Sequence, residues 1–363
     1  MSHGQRSSRM IWFDLVTPKS VLFFRPIIDE IKSRGRKVLI TARSSEGYSE
    51  VIELLQLYKM DYVDRGEFGG AHLGDKLRAS LERQKSLMEY VSLYDIDRLV
   101  CLCSVDANRV AFGLGIPIIN FYDIPLSDCE TNFKKALPQA RLTLPLSTRV
   151  FKPFVVPDEI FLRFSLDEEQ INTYTFIDPV IWLEDFEYDD AYVKKIYEDC
   201  NMDRSKKLIV VREEEFKASY VDKKYPLLYE ALPIIKEKFD VNILIIPRYE
   251  AEYLKEQFPF AFVLDEKVKI QHLLKACDLF IGGGGTINTE ACFFGTPTIS
   301  TRSFICHYDK FQIDTGLMSW VDTQEELLEL VDRFLLKRFD EEAQSVFGSM
   351  PTNIPQMVDE ILA

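Results

Sequence analysis

Short, nearly continuous apolar runs recur along this chain, separated by amphipathic stretches of helical length. RMIWFDLV (9–16), KVLITAR (37–43), MDYVD (60–64), RLVCLCS (98–104) and IPIINFYD (116–123) are the runs of the first half. KKLIVVR (206–212), VNILIIPR (241–248), FAFVLD (260–265), DLFIG (278–282) and TPTIST (296–301) are those of the second. A strand that is apolar on both faces has to be covered on both, and parallel sheets flanked by helices do this. The intervening stretches 21–35, 48–59, 75–94 and 107–115 have helical periodicity, as do 223–238, 250–257, 269–276, 323–338 and 354–362. Between 124 and 180 the alternation weakens and prolines scatter (Pro125, Pro138, Pro145, Pro153, Pro157, Pro179), so the crossing between two domains is placed there. The pattern predicts an α/β fold of two Rossmann-type parallel-sheet domains with an inter-domain cleft. Residues 10–180 form the first domain, on the acceptor side, and 181–345 the second, which binds a nucleotide. Residues 1–9 read as a tag or frayed start, and 346–363 as a C-terminal helix packing back on the first domain.

The net charge of −14 argues against a nucleic-acid partner, which needs a basic surface. No apolar run is long enough to span a bilayer, and the polar start lacks the apolar core of a signal peptide, so a cytoplasmic protein is expected. The seven cysteines form no paired framework and the four histidines are far apart, so no metal site is expected. No sequence feature speaks to oligomeric state.

The second half carries the run CDLFIGGGGTINTEACFFGTPTIST (277–301). A strand ending in four glycines that opens a helix offers unpaired N–H groups, and lets an anion approach them without side-chain obstruction. Thr286 follows the glycines without a lysine, which excludes a Walker A loop, and Ile287 excludes a GxGxxG fingerprint. The plainer account is a tight strand-to-helix turn. Arg212, Arg248 and Arg302 each end or follow an apolar run of the same half, and so fall on the carboxyl edge of that sheet with Gly283, Gly284, Gly285 and Thr286. Three arginines at one edge favour an anion site. Glu290, one helical turn on, suits a carboxylate accepting both hydroxyls of a ribose; an acid favoured by the helix dipole is the alternative.

The glycine segment resembles the nucleotide-binding half of GT-B enzymes such as MurG-type glycosyltransferases and UDP-N-acetylglucosamine 2-epimerases. From Met10 onward the chain more closely resembles the uncharacterised prokaryotic family named domain of unknown function 354. The pieces that carry this are WFDLVTPKSVLFFRP, RVAFGLGIPIINFYD, ARLTLPLS, VVREEEFKASY and the glycine segment. The resemblance implies a GT-B-like fold, a nucleotide-sugar ligand and a ribose-binding role for Glu290. It also implies that the first loop, with Thr17 and Ser20, faces the ligand; Ser20 stands where that family usually has a histidine.

In the first domain, Asp14, Arg43, Ser104, Asp106 and Asp123 fall at strand ends. Asp106 and Asp123 are candidate general bases for a sugar hydroxyl, against plainer roles as a helix cap and a turn former. Glu213 is a third candidate, within a Glu213–Glu215 run that otherwise reads as solvated. The DxD at Asp95–Asp97 precedes its strand, hence lies at the wrong edge for a metal site and reads as a turn. The Gly66–His72 loop is a candidate acceptor-side loop, with His72 more simply a surface residue. The expected function is that of a GT-B glycosyltransferase using a nucleotide diphosphate sugar, UDP-linked, with a sugar or lipid-linked acceptor and neither cofactor nor metal. The alternatives are a UDP-sugar 2-epimerase-like enzyme and a non-catalytic nucleotide-sugar-binding module.

Overall fold

A computed structural model describes residues 9–44, 49–67, 69–70, 72–213, 227–248, 251–264, 266 and 268–363. The chain divides into two compact units. The first runs to Trp182 and takes back Pro351–Ala363; the second is Leu183–Met350.

In the first unit, the described strands form one parallel sheet in the order β3-β2-β1-β4-β5-β6-β7. These are β1 (Met10–Leu15), β2 (Lys37–Ala42), β3 (Val63–Asp64), β4 (Ile96–Cys101), β5 (Ile118–Phe121), β6 (Arg149–Pro153) and β7 (Ile171–Tyr174). The run WFDL is buried on both faces, which is why it carries no polar alternation apart from Asp14. The helix Pro18–Ser33 follows β1 with proline at its start, where the missing N–H costs nothing. Its Val21, Phe24, Ile28 and Ile31 recur at the helical period and are buried. The helix Leu73–Val91 packs on the helix Val105–Gly113. The helix Ile354–Leu362 closes the unit by packing on Pro18–Ser33.

The second unit repeats the plan in the order β10-β9-β8-β11-β12-β13, again parallel. Its strands are β8 (Lys207–Arg212), β9 (Val241–Ile246), β10 (Phe262–Val263), β11 (Leu279–Gly282), β12 (Thr298–Ser300) and β13 (Met318–Trp320). Ile209, Val211, Ile243, Ile245, Leu279 and Ile281 meet apolar residues of the helices Leu227–Lys238 and Gln324–Phe334 in one core. Both sheets reverse their strand order once, between β1 and β4 and between β8 and β11, and the crevice outside such a reversal is where doubly wound sheets take ligands. The two parallel-sheet units are those of a GT-B-like α/β architecture. Among the described residues, no helix is long and apolar enough to cross a membrane.

The stretch 124–180, expected to hold the end of the first domain and the crossing, also holds β6 and β7, which extend the first sheet. Asp97 was expected in a turn and instead lies in β4, buried and paired with Arg36 at 3.0 Å, while Asp95 pairs with Arg9 at 3.0 Å. This is the amino end of the strand, the edge opposite the crevice.

Candidate functional site

In the second unit the glycine run lies at the reversal point. Gly282 ends β11 with Arg212 of β8 on one side and Ser300 of β12 on the other. None of the four glycines adopts a positive φ, so they are not there for backbone torsion. Close approach is the reason at two of them. A Cβ on Gly282 would lie 2.7 Å from Asn288 Oδ1, and one on Gly285 would lie 3.0 Å from Arg302 Nη1. Gly284 faces open space, with nothing within 4 Å of a Cβ placed there. The helix Thr286–Phe293 starts directly afterwards. Among the described residues, no acceptor takes the N–H groups of Gly283, Gly284, Gly285, Thr286, Ile287 or Asn288. The helix's free positive end is therefore aimed past a glycine that leaves room.

The arginines divide. Arg302, buried, lies against Gly285, with its guanidinium bonded to Asp309 at 2.9 Å and covered by Phe304 at 4.0 Å from the ring centroid. Arg302, one of the three strand-end arginines, thus brings its guanidinium to the glycine run. Arg212, also buried, donates to the carbonyl of Pro247. The Arg248 N–H donates to Glu213 Oε2 at 3.0 Å, and Tyr229 donates to Glu213 Oε1 at 2.7 Å. Glu213 is fully buried, so its carboxylate ties the ends of β8 and β9 together. Glu214 and Glu215 lie outside the described residues. Glu290 is buried in the helix after the glycines, where its Oε1 accepts from Gln271 Nε2 at 2.9 Å.

The first unit gathers two charged clusters at the same edge of its sheet. In one, Arg83 is fully buried; it donates to Asp14 at 2.7 Å, to Asp106 at 3.4 Å and to the carbonyl of Arg65 at 2.8 Å. Asp14 also accepts from Thr41 at 2.6 Å and Ser104 at 2.5 Å, and Asp106 from Ser80. Burial, then the like charge of Arg83, lowers the Arg43 pKa against the pull of Asp106 and Asp14. Asp106 thus belongs to a buried ionic network, with Ser104 rather than Asp106 at the cap position of its helix.

In the other cluster, Lys19 pairs with Asp123 and, at 2.6 Å, with Asp178, which also accepts from Tyr174 at 2.6 Å. Burial disfavours the Lys19 charge, but the carboxylates of Asp123 and Asp178 outweigh it and hold the pKa above its ordinary value. Lys19 and Asp178 went unnoticed in the sequence, because only the strand order brings them together. Thr17 and Ser20 bond each other across the helix start, Ser20 N–H to Thr17 Oγ1 at 3.2 Å and Thr17 N–H to Ser20 Oγ at 3.1 Å. That reciprocal cap aims Lys19. His72 is exposed at the start of the helix Leu73–Val91, and Phe68 and Ala71 of its loop lie outside the described residues.

The chain belongs to the family described as protein of unknown function (DUF354), whose model matches residues 9–361. It is 27% identical over 340 residues to the uncharacterized protein MJ0665 of Methanocaldococcus jannaschii, covering 90% of this chain and 92% of that protein. Its fold is similar to that of the M. jannaschii UDP-GlcNAc 2-epimerase in complex with UDP-GlcNAc and UDP, with a TM-score of 0.72, 16% identity, and 97% and 99% of the two chains covered. It is also similar to the spinosyn rhamnosyltransferase SpnG complexed with thymidine diphosphate, with a TM-score of 0.61, 13% identity, and 97% and 100% covered.

Proposed function

We propose that the chain processes a nucleotide sugar, UDP-linked, in a reaction of the 2-epimerase type. Its second unit would seat the diphosphate at the glycine run. The observation that carries this reading is the row of N–H groups from Gly283 to Asn288 with no acceptor among the described residues, beside the buried guanidinium of Arg302. Donors fixed in this way stabilise the charge that builds on a departing diphosphate. Glu290, one turn on, would take the ribose hydroxyls, with Gln271 fixing its orientation. Inverting the carbon beside the anomeric centre takes away its proton as the C1–O bond to the diphosphate breaks, and then returns a proton to the other face as the diphosphate adds back to C1. The likeness in fold to the M. jannaschii epimerase supports the same reading. No metal or bound cofactor is needed for it.

Transfer of the sugar to a sugar or lipid-linked acceptor is the second reading, favoured by the likeness to the rhamnosyltransferase. Of the three carboxylates expected as bases, Asp123 is the most exposed, although it too is paired, with Lys19. Asp106 is held by Arg83 and Ser80, and Glu213 by Tyr229 and Arg248.

The test combines binding with turnover. Calorimetry should show UDP binding, and Gly284→Ala should weaken it by about 1.5–3 kcal/mol, the worth of a charge-assisted hydrogen bond, without loss of fold. Incubation with UDP-N-acetylhexosamines in D2O should place deuterium at the sugar's second carbon. UDP release that requires an added acceptor, with no deuterium uptake, would favour transfer. Failure to bind any of the UDP, dTDP, GDP or CDP forms would end both readings.

A further inference from the structure

The glycine run is flanked by a buried ion pair. Arg302 is 6% exposed and Asp309 2%, and Arg302 Nη1 donates to Asp309 Oδ2 at 2.9 Å. The same oxygen accepts the Cys306 N–H at 2.9 Å, at the start of the helix His307–Asp314. Nη1 also lies 3.0 Å from where a Cβ on Gly285 would stand, so the pair abuts the glycine run itself. Phe304 covers the guanidinium at 4.0 Å from its ring centroid, and the Arg302 carbonyl accepts from Trp320 Nε1 at 2.8 Å. The arginine is therefore fixed at both its backbone and its charged end. A buried ion pair is weak support for a fold, because desolvating two charges offsets most of their attraction. Beside an anion seat it has another effect. The carboxylate cancels much of the charge that the guanidinium would otherwise present to a phosphate.

We propose that Asp309 sets the selectivity of the seat, by limiting how strongly it favours a free nucleoside diphosphate over the diphosphate sugar. The inference rests on the diphosphate seat proposed above, and goes beyond it by giving a role to a residue that acts through Arg302. A free diphosphate ends in a phosphate with an extra ionisable oxygen, and in the sugar-linked form the sugar occupies that oxygen. UDP therefore carries more negative charge than a UDP-sugar. A seat of uncompensated positive charge holds UDP the tighter of the two, and helix N–H groups with a bare guanidinium would make such a seat. Asp309 returns the seat toward neutrality without occupying it, because its carboxylate reaches Arg302 from the next helix and not from the glycine loop. An enzyme whose diphosphate departs from the sugar needs this restraint. Held far tighter than the sugar form, the freed diphosphate would block the site.

Calorimetric titration of the full chain with UDP, UDP-GlcNAc and uridine at pH 8 tests this. Asp309→Asn keeps an oxygen able to accept from Arg302 and Cys306, and removes the charge. It should bind UDP roughly tenfold tighter than the wild type does and UDP-GlcNAc about threefold tighter, in the order of ligand charge, with uridine unchanged. The lost counter-ion leaves a buried cation, so the unliganded variant should melt lower, and saturating UDP should raise its melting temperature by more than it raises that of the wild type. Asp309→Ser, likewise uncharged, gives the same comparison if the amide variant does not fold. Wild-type affinity for every ligand, or a loss shared by every ligand, overturns the proposal and leaves the pair a structural one. A UDP affinity that falls while that of uridine holds also overturns it, because Asp309 would then serve to aim Arg302 and not to neutralise it. A wild type that binds no nucleotide removes the seat itself, and the proposal with it.

Discussion

Glu290 carries the sharpest residue-scale prediction. Its buried carboxylate is bonded to Gln271 through one oxygen, and a glutamine there could still accept from Gln271 through its carbonyl. Glu290→Gln should therefore keep the fold and the melting temperature. UDP binding should weaken by about 1–3 kcal/mol, with a reduced preference for UDP over dUDP, because one ribose hydroxyl loses its acceptor. Calorimetric titration of both proteins with both nucleotides checks this; four equal affinities would leave Glu290 as a helix residue only.

Lys19 is the opposite case, in which stability moves first. Lys19→Met abandons two carboxylates, one of them fully buried, and breaking such a group costs about 3–5 kcal/mol. The wild-type pair has a raised lysine pKa, so its contribution is complete below the unfolded value of about 10.4 and is lost only as pH rises past the folded one. In the variant the deficit comes from carboxylate charge, so acid should shrink it. Urea melts at pH 8 and pH 5 should show a smaller deficit at pH 5, and equal deficits would contradict the ion-pair account.

At the scale of elements, the strands with long apolar runs could be read from the chain, because burial on both faces leaves an unbroken signal. The glycine run could be placed because it follows such a strand. β6 and β7 could not. RVFKP has Lys152 inside it, which bonds the Val156 carbonyl at 2.7 Å and Asp158 at 2.6 Å, and INTY has only two apolar residues. Nor could Arg83 be told from the surface charges of its helix, since only the fold brings Asp14 and Asp106 to it. His272 is a further such residue. Its Nδ1 accepts the Asp189 N–H at 3.1 Å, with Phe186 and Tyr192 rings beside it, so it pins the segment that enters the second unit. Burial, then Lys269, lowers its pKa, against the pull of the Asp189 carboxylate. A depressed histidine favours the fold fully above its unfolded value of about 6.5, and that advantage is lost as pH falls toward the folded value. Protonation would also remove the acceptor. Melting temperature should therefore drop between pH 6.5 and more acid conditions, and His272→Gln should flatten that part of the profile. An unchanged slope in the variant would assign the acid sensitivity to other groups.

At the scale of the whole molecule, the first unit is built from both ends of the chain. Pro351–Ala363 belongs to it although the second unit intervenes in sequence. Met357, Val358 and Ile361 are buried there, and each is worth about 1.5–3 kcal/mol on burial. Arg98 and Arg149 donate to the carbonyls of Ile361 and Glu360, as cations do at a helix's negative end. Arg34 bonds Asp359 and the Pro355 carbonyl, but these groups are more exposed and add less. Truncation after Met350 should thus strip the first unit of a structural layer without touching the core of the second. Two units with separate cores need not melt as one, so calorimetric scans can resolve them. The truncated chain should show one transition lowered or lost and the other retained. UDP should raise only the retained one, since a ligand stabilises the unit that binds it. If truncation lowers both transitions together, the second unit depends on the first for its stability; if UDP raises only the lowered one, the diphosphate seat does not lie at the glycine run.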